Sequence, residues 1–147
     1  MYLCNIFCCT TAVVMYRLGM ARKLQPCAFV QLAESTSAKR TQVNVFGTAR
    51  ARNWFIPEGA SEKELLAAQL QHRIAVQIRG AITQSDAGNP AEFARRHDEL
   101  TYARLRGVLS GSLWMRMDDL SGIAHLLGLV PVVTLELEPE EQATEAL

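Results

Sequence analysis

From Ser61 to Gly88 the chain reads as one long helix, and this stretch restricts the fold more than any other. Ser61-Glu62-Lys63-Glu64 fits a capping box, in which the Ser hydroxyl and the Glu carboxylate each satisfy a free backbone N–H of the first turn. Leu66, Leu70, Ile74, Ile78 and Ile82 then follow at four-residue intervals, and Asp86-Ala87-Gly88 ends the run. A second start follows at once. Asn89 stands at the N-cap, Pro90 takes the first helical position, where its missing N–H costs nothing, and Glu92 lies in the first turn. About two turns follow, with Phe93 and Ala94 expected to face inward.

"HDEL" then makes a short connection, and Thr101 caps the helix "YARLRGVLS", which must end by Gly111. At roughly 100° per residue, Tyr102, Leu105, Val108 and Leu109 fall on one side of it and Ala103, Arg106, Gly107 and Ser110 on the other. This second face is almost bare and is expected to point outward. A mid-helix Gly costs about 1 kcal/mol relative to Ala, so the simplest use for Gly107 is to let something large approach the backbone. A last helix is predicted from about Met117 to Leu127, with Asp118 and Asp119 on the positive end of its dipole and Met117, Leu120, Ile123, Ala124 and Leu127 as its apolar stripe. Gly128 and Pro131 stop it. Beyond them "VVTLELE" alternates like a strand, and "PEEQATEAL" reads as a frayed acidic end.

With 147 residues, 49% of them hydrophobic, the chain can bury one core and is short for two independent domains. Its zero net charge is a sum of unlike parts. Residues 1–60 carry seven basic residues against two acidic ones, residues 61–129 carry eight of each, and residues 130–147 carry five glutamates and no base. Residues 1–60 therefore read as a leader and basic arm, largely irregular, in which "ESTSAKRTQ" is a polar linker and "QVNVF" a short strand. Residues 61–130 form the helical domain and residues 131–147 a strand-like acidic tail. Met1 to Tyr16 is uncharged but shorter than the roughly 20 residues that span hydrocarbon, and translation from Met20 ("MARKLQ") is expected. Cys4, Cys8, Cys9 and Cys27 have no CxxC or CxxH spacing, which argues against a zinc site, and the expected core contains no cysteine to staple.

The succession of a long helix, a very short helix, a brief turn, a capped helix ending in Gly and an amphipathic helix ending in Leu-Gly resembles the phage-repressor-like helix-turn-helix family, the Cro and lambda-repressor type also called the xenobiotic-response-element family. The residues that carry the resemblance are "PAEFARRHDELTYARLRGVLSG" and "SLWMRMDDLSGIAHLLGL". It implies a helix that reads a DNA major groove, with Thr101 as the cap that also meets a phosphate, Leu105 and Val108 inward, and Tyr102, Ala103, Arg106 and Gly107 toward the groove. Arg106 could then reach the O6/N7 edge of a guanine. Arg104, Ser110, Arg95 and Arg96 belong to the same motif, and Arg50 and Arg52 flank it from the arm. The sequence departs from the family in two places: "HDEL" lacks the usual Gly of the turn, and Arg116 stands where the last helix needs an N-cap.

Competing chemistry is thin. His72, His97 and His125 are far apart, no Ser, Cys and His form a recognisable triad, and there is no glycine-rich phosphate loop. The expectation is an all-α protein, a four- to five-helix bundle with a helix-turn-helix, a flexible N-terminal arm and a short C-terminal β-strand-like tail. It would act in the cytoplasm, at the nucleoid, as a sequence-specific transcription regulator that binds double-stranded DNA as a homodimer, with no cofactor, metal or catalytic residue. The alternatives are an antitoxin-type module whose partner is a small protein, and a membrane-tethered protein, which would require Met1 to Tyr16 to insert.

Overall fold

Three of the four helices start at a side chain that takes up a free N–H of the first turn. In the computed structural model, which describes residues 23–34, 42–51 and 53–132, these starts give α1 (Glu62–Gln84), α2 (Pro90–Arg96), α3 (Tyr102–Ser110) and α4 (Met117–Leu126). Ser61 Oγ accepts the Glu64 N–H at 3.3 Å and the Glu64 carboxylate accepts the Ser61 N–H at 2.9 Å, a complete capping box. Asn89 Oδ1 accepts the Glu92 N–H at 2.9 Å, and Thr101 Oγ1 accepts the Arg104 N–H at 3.3 Å. α4 has no side-chain cap at Arg116, and the Asp119 carboxylate accepts the N–H of Arg116 itself at 2.7 Å. The chain is all-α, with a minimal antiparallel pairing of β1 (Ala33–Glu34) and β2 (Gln42–Val43).

The four-residue row of α1 turns out to cross from solvent to core. A step of four residues overshoots one turn by about 40°, so the row winds around the helix. Leu66 and Leu70 are 61% and 50% exposed, whereas Ile78 and Ile82 are buried. The buried stripe is Ala68, Gln71, Ala75, Ile78 and Ile82, whose alternating steps of three and four keep it on one side. Met117 likewise lies outside the stripe of α4, at 76% exposed, while Ile123 and Ala124 are buried.

Part of the segment expected as an irregular arm belongs to the core. Cys27, Phe29, Val30, Val45 and Phe46 are all buried, and all of them but Phe29 lie in one cluster with Leu105, Val108, Leu109 and Ile123. A 3-10 turn at Pro26–Phe29 packs on α1. The Phe55 N–H donates to the Phe29 carbonyl at 3.1 Å and the Gln31 N–H to the Asn53 carbonyl at 2.8 Å, which ties residues 29–31 to residues 53–55. His72 sits edge-on to Phe46 and Trp54, with ring centroids 5.4 and 5.2 Å away, and its Nδ1 accepts the Gly47 N–H at 2.9 Å. Burial, aided by the Arg73 charge, lowers its pKa, in keeping with a neutral acceptor ring. The strand expected in the tail falls almost wholly beyond Val132 and lies outside the described residues.

These additions converge on the C-terminal end of α3. A helix leaves its last four carbonyls without helical partners, and each of those of α3 has an acquired one. The Leu113 N–H donates to the Gly107 carbonyl at 3.1 Å, Gln71 Nε2 to that of Val108 at 2.9 Å, Arg79 Nη2 to that of Leu109 at 3.2 Å, and Asn44 Nδ2 to that of Ser110 at 2.8 Å. The Gly111 carbonyl accepts from the Cys27 N–H at 3.0 Å. Gly111 itself closes the helix in the left-handed region, φ 72°, and a Cβ there would lie 2.7 Å from the Phe46 ring, so both conformation and space require glycine.

Gly107 is buried, which corrects its expected place on the outward face. A Cβ at this position would lie 2.5 Å from Leu113 Cδ1 and 2.9 Å from Leu113 Cγ. The large object that comes close to the backbone here is the chain's own Leu113, brought back over the helix by the Leu113 N–H bond to the Gly107 carbonyl.

Two outcomes follow for stability. Gln71 is buried, its Nε2 also donates to the Leu113 carbonyl at 2.9 Å, and its Oε1 accepts the Met115 N–H at 2.8 Å. Gln71→Leu should therefore lose about 2–4 kcal/mol in denaturant unfolding, because one buried and two part-buried backbone groups lose their partner together, while Gln77→Leu on the exposed face should change stability by less than about 0.5 kcal/mol. Gly107→Ala should destabilise the parent by about 1–2 kcal/mol through overpacking but stabilise a Leu113→Ala background by about 1 kcal/mol through helix propensity. A gain in both backgrounds would return Gly107 to the solvent face.

Candidate nucleic-acid interface

The expected reading helix is held by its far end, and this decides which of its side chains are on view. With Leu105, Gly107, Val108 and Leu109 buried, Thr101, Tyr102, Ala103 and Arg106 remain exposed. They occupy the N-terminal turns of α3. Thr101 has its hydroxyl in the cap. Tyr102, which helical geometry alone grouped with the inward residues, is 46% exposed.

Arg104 has a different role from the one the motif implied. Its guanidinium bonds the Asp119 carboxylate, with Nε to Oδ1 at 2.9 Å, and donates through Nη2 to the Trp114 carbonyl at 3.1 Å. These bonds clip α3 to the start of α4. The pairing holds the Asp119 carboxyl below the usual carboxylate range and raises the Arg104 pKa, the Arg104–Asp119 hydrogen bond being the main cause of both. Ser110 is half-buried, and its hydroxyl is 3.3 Å from the Gly107 carbonyl and 3.2 Å from Ser112 Oγ, so it belongs to the helix end. Neither Arg104 nor Ser110 lies with the exposed residues of the first turns.

Arg95 and Arg96, on α2, are exposed but share Glu92. Arg95 Nε lies 2.8 Å from its carboxylate and Arg96 Nε 2.9 Å. Hydrogen bonds from the two arginines, Arg95 first, pull the Glu92 carboxyl down to about 2. Part of their charge is answered within the helix, and what they offer outward is weaker than two lone cations. Arg50 is exposed on the segment before Trp54, and Arg52 lies outside the described residues.

Arg79 was not among the residues the sequence singled out. Tyr102 and Arg106 line a cleft of about 450 Å³ together with Arg79 and Asn89, and its lining includes two arginines and no carboxylate among the described residues. Arg79 Nε is buried and without a hydrogen-bond partner, and no acid pairs with this guanidinium among the described residues. Burial lowers its pKa, although the group stays cationic at any physiological pH. The signal that could have found it is positional: Arg79 stands four residues after Ala75 and three before Ile82, on the edge of the buried stripe, where a charged residue is uncommon.

Among the described residues no group of three or more His, Cys, Asp or Glu could hold a metal ion, and no helix is long and apolar enough to cross a membrane. No protein-family model matches the chain, and neither a curated protein nor a solved structure is significantly similar to it.

Proposed function

We propose that the protein is a sequence-specific DNA-binding transcription regulator of the repressor type, with α3 as the element that reads the major groove. The observation that carries this reading is the contrast between the two ends of α3. Its last four carbonyls are all taken by partners outside the helix, while Tyr102, Ala103 and Arg106 stand exposed on its first turns. A reader must project a few side chains from a backbone that does not move, and a short helix pinned at its far end meets that need. Arg106 is the side chain long enough to reach a base edge from a face where Ala103 leaves room for a groove wall. Arg95, Arg96 and Arg50 would lie toward phosphates, where contacts set register and not sequence.

The helical region sums to zero charge, so phosphate neutralisation alone gives modest affinity. A two-fold dimer would double the readers. Leu66 and Leu70, one turn apart on the outward side of α1 and at least half exposed, are the apolar pair we assign to contact with a second copy.

Selection from a random duplex pool with the full chain should yield a preferred site, and Arg106→Ala should then lose about 1–3 kcal/mol of specific binding and relax one base position, with an unchanged unfolding midpoint. Equal affinity in mutant and parent would remove Arg106 from the reading role. Replacing Leu66 and Leu70 together with Lys should give monomers in sedimentation and weaken a palindromic site far more than a half-site. A double variant that still sediments as a dimer would place the contact elsewhere.

A further inference from the structure

We infer that His72 is a proton-operated latch, which holds residues 44–47 against α1 and the end of α3 while its ring is neutral and releases them when the ring is charged. The latch is one hydrogen bond of fixed direction. A backbone N–H only donates, so the His72 Nδ1 that accepts from Gly47 at 2.9 Å carries a lone pair and no proton. A proton added there sets two donors against each other. Turning the ring over does not restore the bond, because it places a carbon opposite the Gly47 N–H.

The surroundings give a charged ring no counter-ion. From the segment before α1 it meets the Phe46 and Trp54 rings, and Arg50 is the one charged side chain of residues 42–51. The 3-10 turn packed on α1 has no charged side chain, and its Cys27 thiol is buried. On α1 itself the neighbours are cations. Arg73 acts on the ring directly, and Arg79 Nε lies 3.2 Å from where a Cβ of Gly47 would stand. No carboxylate pairs with His72 among the described residues. Burial first and the Arg73 charge second hold the ring below the ordinary histidine value of about 6.5. The unfolded chain therefore takes up the proton more readily, so the latch contributes fully above about pH 6.5 and its contribution is lost as pH falls from there to the lowered value.

The residues that the proton releases brace the last turn of α3. Gly47 has φ 69°, and a Cβ there would overlap the Leu109 carbonyl oxygen. Asn44 Oδ1 accepts the Phe46 N–H at 2.9 Å while its Nδ2 holds the Ser110 carbonyl, and the Phe46 ring lies against Gly111. Opening at Gly47 withdraws this packing from the helix end. The acidic partners of the other ion pairs stay charged over the same window, because Arg104 holds the Asp119 carboxyl, and Arg95 and Arg96 hold that of Glu92, below the usual carboxylate range. The latch does not rest on α3 reading DNA.

The test follows the full chain by NMR from about pH 7.5 to about pH 4.5, reading the His72 ring signals and the exchange protection of the Gly47 amide, corrected for the intrinsic pH dependence of exchange. Protection at Gly47 should fall by up to about tenfold per pH unit, the limit for one proton, over the range in which His72 titrates, while the Phe93 amide keeps its protection. Arg73→Gln, at an exposed position, removes the charge that acts on the ring and should move the His72 titration and the loss of Gly47 protection to higher pH together. His72→Gln, whose amide oxygen accepts at every pH, should abolish the dependence although His97 and His125 remain. A ring that titrates with Gly47 protection unchanged, a ring that stays neutral throughout, or an acid loss that persists in His72→Gln overturns the latch. Should His72→Gln fail to fold, Arg73→Gln decides: the two midpoints shift together, or the latch is overturned.

Discussion

A helix that ends inside a protein brings carbonyls that water can no longer reach, and each left unpaired costs about 1–3 kcal/mol. In this fold that helix is α3, and the answer to its carbonyls organises the elements around it. Gln71 and Arg79 reach across from α1, Asn44 from the strand segment and Cys27 from the 3-10 turn. The segment before α1 therefore has two reasons to be ordered: it adds Val30, Val45 and Phe46 to the core cluster and supplies two of the donors. Gln71 is the most connected of these groups, since one buried amide joins α1 to the end of α3 and to both sides of Trp114. In a protein whose total stability is on the order of 5–15 kcal/mol, such a node is a large share of what keeps the fold.

Fixing α3 at one end leaves the other end to present side chains, and the arginines divide accordingly. Arg104 is drawn into the structure by Asp119, and Arg95 and Arg96 are partly neutralised by Glu92. Exposed ion pairs of the second kind add little to stability, so their effect is mainly to reshape the surface field. Arg79 differs from these in being partly desolvated, and no acid pairs with it among the described residues. A net charge of zero is thus compatible with very different surroundings for individual arginines.

The helix boundaries were legible because the signals that set them are local. Ser61 with Glu64, Asn89 with Pro90, Thr101 and Gly111 each act within a few residues, and all four end or begin a helix where expected. Two readings missed for geometric reasons. Four-residue spacing in α1 looks like a stripe but drifts around the helix, which put Leu66 and Leu70 outside. Gly107 lay on the side opposite Leu105 in a projection of α3 taken alone, but the chain after Gly111 folds back and covers it with Leu113. Gln71 and Arg79 were not read at all, because their value comes from carbonyls 30 to 37 residues away. Their trace in the sequence is a polar residue within or beside an apolar stripe.

Arg79 joins the stability of α3 to the chemistry of its surface. Its Nη2 bond holds the Leu109 carbonyl, a favourable place for a cation because a helix C-terminus carries partial negative charge. The same group is partly desolvated, which disfavours its charged form, and it has no carboxylate beside it among the described residues. A neighbouring acid would relieve that cost but would also fill the cleft with negative charge. Without one, the bond to the Leu109 carbonyl and the field of the helix end are what offset the desolvation of the cation. The same bond closes one of the last carbonyls of α3, so the solvation of Arg79 and the fixing of that helix end are coupled through one side chain.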